Sequence, residues 1–556
     1  MMIKWVSLLS HLIIGLLTIH TAMAQDTQQL QQSVKKAAET TLNENATTKF
    51  SSKTLTLAEA VKIALTSSPS ILLQRLGADS AQAVVKMEKG AFDPTPYSTI
   101  TTGRKSAPVT SYERAIYEDL PRLSRGEVDW VAGISKQTRM GISGDFSVQV
   151  YRKDPINYDK DYITTSNHST VDFKLNIPLL QGRGTTSAAA AENSAQLQYE
   201  ASTLDLRHAV AVTVYQAVAA YWDYKAAVEF VKLQQDSENR VKEWLDAAET
   251  ALKSTGKMDE FEKQHEAEIS GLIAYEADKK LATIAAREQL QQAQDNLALA
   301  LGVPFDQFAK IGLPSDNFPK DIANLNLNDP ELITRWTTLA LEKRLDLHAA
   351  KLRQQAAQVM LAKARRDVLP KLDLQLGIGY SGLAEGADFD RFPSALKDQI
   401  YGPNTSAGLT FMYPIGNNTA RGILDQAQVN YQQTLIQTNE LARNIKSQIN
   451  LNIAALQRRV TEADMAERAV KFYQPSLDSL KKQSSSSMNK PSSSNIAVVM
   501  GLTDLEEKLT SAISKRLSMQ AELVKAITAT RLNTGSLMSL QQNENQISMK
   551  ELLTLP

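Results

Sequence analysis

Lys371-Leu372-Asp373-Leu374-Gln375-Leu376-Gly377-Ile378-Gly379-Tyr380 alternates along its whole length. Leu372, Leu374, Leu376, Ile378 and Tyr380 fall on one face; Lys371, Asp373, Gln375, Gly377 and Gly379 fall on the other. Successive side chains of an extended chain point to opposite sides, so period two means a strand with one apolar and one polar surface. Val171, Phe173, Leu175 and Ile177 alternate in the same way with Asp172, Lys174 and Asn176, and Ala407, Leu409, Phe411 and Tyr413 form a third stripe. Such segments run ~9–11 residues, the length of a tilted membrane-spanning strand. The expected strands cover 96–104, 169–178, 371–381 and 405–414, of which the first alternates least well. A soluble sheet over a core is the competing reading of the same periodicity.

Between the first two strands lies a further alternating pair, Val128, Trp130, Ala132 and Ile134, then Phe146, Val148 and Val150. Gly141 and Gly144 separate them, so a hairpin is expected over 127–152. It either extends the wall formed by the other strands or stands above it on the outer side. The stretch 154–167 is rich in Asp, Tyr, Asn and Ser, as an exposed loop should be.

The decisive strand belongs to a repeat. Leu57–Gly103 matches Ile333–Gly379 at one constant offset, with Ala64-Leu65 on Ala340-Leu341, Pro94 on Pro370 and Gly103 on Gly379. Further on, Asn176-Ile177-Pro178-Leu179 matches Met412-Tyr413-Pro414-Ile415. Each copy reads helix, helix, proline, strand, which points to an internal duplication, with the first copy carrying roughly 40 extra residues between its prolines.

Each copy then continues into helices too long for a globule. From Thr185 to Ser254 there is neither proline nor glycine, a helix of ~100 Å at ~1.5 Å per residue. Leu197, Leu204, Ala211 and Val218 step by seven, and so do Val214, Tyr221 and Val228, which is a coiled-coil seam. After Gly256 a returning helix runs to Leu301, so the first helical hairpin is expected over 185–301. The second is expected over 419–533, descending to about Lys482 with a kink at Pro475, turning through the serine-rich 484–494 and returning from Ile496. About four strands cannot close a barrel, and an open edge in lipid leaves backbone groups unpaired. Three chains together would supply roughly twelve.

The N-terminus reads as an export signal: Lys4, an apolar run from Trp5 to Ile19, then Ala22-Met23-Ala24 with cleavage before Gln25. No later stretch approaches the ~20 apolar residues of a spanning helix. Across 556 residues there are 61 basic and 61 acidic side chains and no cysteine. The charge balance argues against a polyanion binder, so no nucleic-acid partner is expected. Lack of cysteine excludes disulfides, thiolate metal sites, cysteine nucleophiles and lipid attachment through cysteine. Aromatic residues make up 6%, which suits long helices with thin apolar seams.

The order of these elements resembles the TolC family of outer-membrane efflux and secretion channels. The resemblance spans 54–540 and rests on Leu55-Thr56-Leu57-Ala58-Glu59-Ala60-Val61 followed by Pro69, on Gly90-Ala91-Phe92-Asp93-Pro94-Thr95, and on Pro178-Leu179-Leu180-Gln181-Gly182-Arg183-Gly184. Leu369-Pro370 and Tyr413-Pro414-Ile415-Gly416 stand in the second copy. Pro94, Pro178, Gly182, Pro370 and Pro414 are thereby the strand–helix junctions. The resemblance implies a mainly α fold: a homotrimer with a twelve-stranded outer-membrane β-barrel, about four strands per chain, continued by an α-helical periplasmic tunnel. It implies an exit channel of a tripartite efflux or type I secretion system in a Gram-negative outer membrane. Its partners would be outer-membrane lipid, a periplasmic adaptor and an inner-membrane pump of RND, ABC or MFS type. On this plan residues 1–24 are signal peptide, 25–54 an N-terminal extension, 55–302 the first repeat, 303–330 a linker, 331–540 the second repeat and 541–556 a tail.

The hairpin tips are where this family narrows its pore and meets its adaptor. Asp504 and Glu507 in the second copy, and Glu262 after Gly256 in the first, match its constriction acids. Threefold symmetry would make each a carboxylate ring, which attracts cations and narrows a pore. A solvated first-turn carboxylate favoured by the helix dipole is the plain alternative. Gly256, Lys257, Met500, Gly501 and Leu502 would form the docking tips. Met500 stands where the family tends to place an arginine that holds the closed tip, and Val498 where it places a glycine.

No enzyme or cofactor is expected. Gly377-Ile378-Gly379-Tyr380-Ser381-Gly382 spells a dinucleotide fingerprint, but no helix opens at its third glycine. Ser394-Ala395-Leu396-Lys397 spells an acyl-enzyme motif without companions. The histidines lack metal-ligand spacing. The alternative to a channel is a periplasmic or surface coiled-coil structural protein with a soluble β-sheet.

Overall fold

A computed structural model describes residues 54–116, 121–155, 165–254, 259–319, 329, 331–386, 395, 401–487, 494–538 and 554–556. The expected signal peptide and extension up to residue 53, and Ser394 of the acyl-enzyme-like motif, lie outside these residues. The chain divides into two compact units.

One unit comprises Gln74–Leu206 and Leu345–Arg443. At its centre is one antiparallel sheet of β2 (Thr95–Pro108), β3 (Arg122–Gln137), β4 (Ser143–Pro155), β5 (Ser166–Pro178), β7 (Lys371–Glu385) and β8 (Tyr401–Met412), in the order β2-β3-β4-β5-β7-β8. The expected count of four strands is therefore corrected to six. The extra hairpin of the first copy lies between β2 and β5 as two full members of the sheet. The strands are also longer than the apolar alternation alone marked, because their polar outer ends continue the same hydrogen-bonded register.

Register makes the sheet two-faced throughout. Ile134 on β3 pairs with Phe146 on β4, Phe146 with Phe173 on β5, and Phe173 with Ile378 on β7. The adjacent rows on this face carry Ala132, Val148, Val171 and Tyr380 on one side and Leu175, Leu376 and Ala407 on the other, and the next row holds Ile100, Trp130 and Val150. This apolar face is open: Phe146 is 45% exposed, Ile378 60% and Phe411 66%. Trp130 Nε1 on the same face donates to Ser98 Oγ at 3.0 Å, so even its polar atom is satisfied within the sheet. The opposite face carries Asp129, Asp145, Asp172, Lys174 and Asp373, with Tyr97 donating to Asp145 at 3.0 Å and Gln149 to Asp129 at 2.9 Å. Gly377-Ile378-Gly379-Tyr380-Ser381-Gly382 lies inside β7, which continues to Glu385, so no helix opens there.

The same unit holds most of α2 (Pro69–Lys89), all of α4 (Thr185–Ala188) and α8 (Leu345–Asp367), and the first parts of α5 (Ala190–Ser254) and α9 (Asn418–Ser487). A short helix α3 (Ser111–Ile116) follows β2. Arg353 on α8 pairs with Asp205 on α5.

The other unit comprises Met1–Leu73, Arg207–Arg344 and Asn444–Pro556. It contains α1 (Leu57–Ser67), the remainder of α5, α6 (Asp259–Leu301), α7 (Leu332–Lys343), the remainder of α9, and α10 (Ser494–Asn533). Thr56 starts α1 with a capping box, its hydroxyl accepting from the Glu59 amide while the Glu59 carboxylate accepts from the Thr56 amide. Two short strands, β1 (Thr54–Leu55) and β6 (Leu313–Pro314), pair in parallel. Tyr221 of α5, fully buried, locks this pair by donating to Asp316 at 2.6 Å and to Leu55 O at 3.1 Å. The linker expected over 303–330 is thus structured where it is described. Pro475 lies inside α9, which continues to Ser487, and α10 begins at Ser494, both slightly beyond the expected limits.

Gly302 and Gly535 close the two helical hairpins at positive φ of 70° each. A Cβ on Gly302 would meet Ser67 O at 2.5 Å, and one on Gly535 would meet the Lys343 carbonyl carbon at 2.7 Å. Ser67 and Lys343 are the last residues of α1 and α7. The same close approach occurs in both copies of the expected plan.

Among the described residues, no helix is long and apolar enough to cross a membrane.

Candidate functional site

Two constellations concentrate the sequence-predicted residues, one in each unit. In the first, α10 packs through Leu502, Leu509 and Ile513 on Leu477 and Leu480 of α9 and Trp244 of α5. Leu502 is 3% exposed and belongs to this core. The same residue is the one expected at a docking tip from the sequence. Gly501 faces Leu480, where an added Cβ would come within 3.1 Å of a methyl group. Gly256 and Lys257 lie outside the described residues, as do the side chains of Glu262 and Met500.

The helical period separates the acids of this segment. Asp504 points outward and pairs with Lys508 one turn on, at 2.7 Å, and that contact raises the lysine's pKa. Glu507 is 62% exposed at its side chain and pairs with Lys279 of α6, itself only 7% exposed. Tyr275 of α6 donates to Glu507 Oε2 and to Thr503 O, each at 3.2 Å. Burial pushes the Tyr275 phenol well above its ordinary range, and the Glu507 charge adds to this. Asp504 and Glu507, the expected constriction acids whose side chains are described, therefore each carry a cationic partner within the chain.

Sequence reasoning passed over the most constrained acid. Glu506 is fully buried and accepts from Arg240 of α5 at 2.6, 3.0 and 3.1 Å, and from Thr510 at 3.0 Å. Burial raises its pKa, but the Arg240 bonds and charge, with Ser237 and Thr510, outweigh that and hold the carboxyl below its ordinary value. The signal was present: Leu502, Glu506, Leu509 and Ile513 fall at the spacing of one seam. Arg240, Tyr275 and Lys279 give no local signal, since their partners lie more than 220 residues away. Together these bonds tie α10 to both helices of the first hairpin.

The second constellation is the strand–helix junction. Pro178 ends β5, Pro94 and Pro370 immediately precede β2 and β7, and Pro414 follows β8. Leu179 N donates to Leu372 O at 2.7 Å and Gln181 N to Pro370 O at 3.3 Å, so the junctions at Pro178 and Pro370 are bonded to each other. Gly182 takes φ 85° to turn the chain toward α4. The turn of the extra hairpin joins here. Gly184 N donates to Met140 O at 2.9 Å, and Arg139 donates to both oxygens of Glu192 in the first turn of α5, at 2.6 and 2.9 Å. Arg139 also lies 4.9 Å above the Phe92 ring. Its bonds hold the Glu192 carboxyl below the ordinary range.

No protein-family model matches the chain, and no curated protein sequence matches it. Solved structures do. The chain is similar to the outer-membrane channel OprN at 14% identity, with 86% of this chain and 90% of that one covered and a TM-score of 0.57. It is similar to the Campylobacter jejuni CmeC outer membrane channel at 12% identity, 90% of each chain covered and a TM-score of 0.57. It is also similar to the outer membrane protein VceC of Vibrio cholerae at 15% identity, with 84% and 95% covered and a TM-score of 0.53. Likeness over nearly the full length of each chain, at identities too low to carry side-chain roles, is likeness of fold. The chain has the fold of the TolC-like outer-membrane channels.

Proposed function

We propose that this protein is the outer-membrane exit channel of an export system, passing solutes from periplasm to exterior without chemistry of its own. The observation that carries this reading is the sheet's apolar face, continuous across all six strands and open to its surroundings. A contiguous apolar surface of this extent needs a partner, and lipid is the partner that suits a sheet whose other face is polar. A periplasmic structural protein with a soluble sheet would expose the polar face and bury the apolar one. The likeness to outer-membrane channels supports the same reading.

On this reading the chain assembles as a homotrimer in the outer membrane of a Gram-negative bacterium. Its two helical hairpins form the periplasmic tunnel, and the hairpin tips dock a periplasmic adaptor coupled to an inner-membrane pump of RND, ABC or MFS type. Such an assembly serves efflux or type I secretion. The matching close approaches at Gly302 and Gly535 support descent of the two halves from one duplicated unit. The residues Asp504, Glu507 and Glu262 set the tunnel's constriction, and the bonds from Arg240, Tyr275 and Lys279 to α10 hold it closed.

The test is fractionation of the cell envelope followed by detergent extraction. The channel reading expects a heat-dissociable trimer in the outer-membrane fraction that forms pores in planar bilayers. Recovery of the mature chain as a soluble monomer would overturn it.

A further inference from the structure

The extra hairpin changes what three copies can close. β2 and β8 lie at the two ends of the sheet, so each has one edge without a partner strand among the described residues. Six antiparallel strands leave β2 and β8 running in opposite directions. The β8 edge of one copy can therefore continue into the β2 edge of the next without breaking the antiparallel pattern. In lipid those edges must be paired, since an unpaired backbone there costs several kcal/mol per group.

The hairpin is built into the wall at both levels of structure. Along its length β3 pairs with β2 over fourteen residues, from Thr95–Ser135 to Pro108–Arg122, and β4 pairs with β5 from Ser143–Asn176 to Lys153–Ser166. Its apolar residues Trp130, Ile134 and Phe146 continue the exposed band of the other strands. At its turn, Gly141 takes φ 89° and lies so close to the junction that a Cβ would stand 2.2 Å from Gly182 O. The Arg139–Glu192 pair and the Gly184–Met140 bond fasten the same turn to the start of α5. A hairpin standing above the wall would make none of these contacts.

We infer that this channel closes as an eighteen-stranded barrel, six strands from each of three copies joined β8 to β2, with a mouth wide enough for bulky polar solutes. At ~4.8 Å between strands and ~40° of tilt, eighteen strands give a backbone diameter of ~36 Å, against ~24 Å for twelve. Side chains ~5 Å deep on each side leave ~26 Å and ~14 Å. The polar face contributed by the hairpin, with Asp129, Asp145 and Gln149, lines the added width. This inference rests on the channel reading above.

The natural absence of cysteine makes the strand order testable by engineered pairs on the polar face. Thr101 stands opposite Asp129 on β3, Asp129 opposite Tyr151 on β4, and Tyr151 opposite His168 on β5. Under a mild aqueous oxidant, the double variant T101C/D129C should form an intrachain disulfide in outer-membrane trimers, and T101C/H168C should not. Pairing T101C in turn with N404C, S406C, G408C or T410C should give a covalent ladder of dimer and trimer for at least one combination. With wild-type pores in bilayers, polyethylene glycol of ~1 nm hydrodynamic radius added on the barrel side should enter the mouth and lower conductance. An outer-membrane trimer in which T101C/H168C cross-links, or which excludes that polymer, overturns the eighteen-stranded wall and leaves the channel reading standing. A two-copy assembly in the outer membrane overturns it equally. Failure to find the protein in the outer membrane overturns the channel reading itself.

Discussion

Arg240 and Glu506 form a bidentate ion pair between α5 and α10, with the carboxylate fully buried and the guanidinium 24% exposed at its side chain. Removing one partner leaves the other charge without compensation in a dry site. Arg240→Ala should therefore loosen the α10 tip by about 3–5 kcal/mol. Hydrogen exchange of α10 amides reads this directly. The joint replacement R240M/E506L should recover most of the protection, because a buried pair exchanged for apolar side chains of similar volume is close to neutral.

The same pair sets an acid limit. Glu506 has its pKa depressed below the ordinary glutamate value of 4.5 in the folded chain. Its contribution is fully present above that unfolded value and is lost as pH falls through the lower folded one. Tip protection should hold from neutral pH down to about 4.5 and fall below it. Glu506→Gln should flatten this acid-side slope while lowering protection at neutral pH. A slope equal to wild type would show that another carboxylate governs it.

Glu507 holds α10 to α6 through Tyr275 and Lys279 with its own carboxylate largely open to water, so its loss should act on the proposed tunnel more than on overall stability. A carboxylate open to water contributes little to folding, and in the proposed trimer a threefold repeat multiplies even a small bias between closed and open tips. Tyr275→Phe and Glu507→Ala should each raise single-channel conductance severalfold, and Asp504→Ala should weaken block by divalent cations. Unchanged conductance and ion sensitivity in all three would remove these acids from the constriction.

Gly302→Ala and Gly535→Ala each force a Cβ against backbone at a positive φ. Each should destabilise its own helical hairpin by about 1–3 kcal/mol. Thermal unfolding followed by circular dichroism checks this, with Gly271→Ala as the control, since nothing stands within 4 Å of a Cβ there.

Arg139→Ala removes the bidentate contact to Glu192 and the contact with Phe92. It should leave the trimer assembled and make the turn around Met140 more sensitive to protease added from the periplasmic side. A fully protected turn would show that the Gly184–Met140 bond and strand pairing fix it alone.

Local chemistry was enough for much of the fold. Alternation placed β5, β7 and β8 and assigned each residue to its face, because side-chain direction follows from the extended backbone itself. The run without proline or glycine from Thr185 to Ser254 placed α5. What surrounds Leu502 and Glu506 was not legible, for a common reason. On a helix whose seams meet several neighbours, sequence spacing shows that residues share a face without showing which neighbour covers it. Glu507 read as a free acid because Lys279 and Tyr275 arrive from a helix more than 220 residues earlier.

The sequence by itself determined the two-faced strands and the long helices, since periodicity and helix-breaking residues act within a few residues of chain. Only the tertiary structure decided that the hairpin of β3 and β4 enters the sheet between β2 and β5, and that Glu506 rather than its neighbours carries the buried charge pair. Strand order and ion pairing depend on backbone edges and side chains distant in sequence. A short stretch of chain specifies which surfaces it offers, and the rest of the fold selects what meets them.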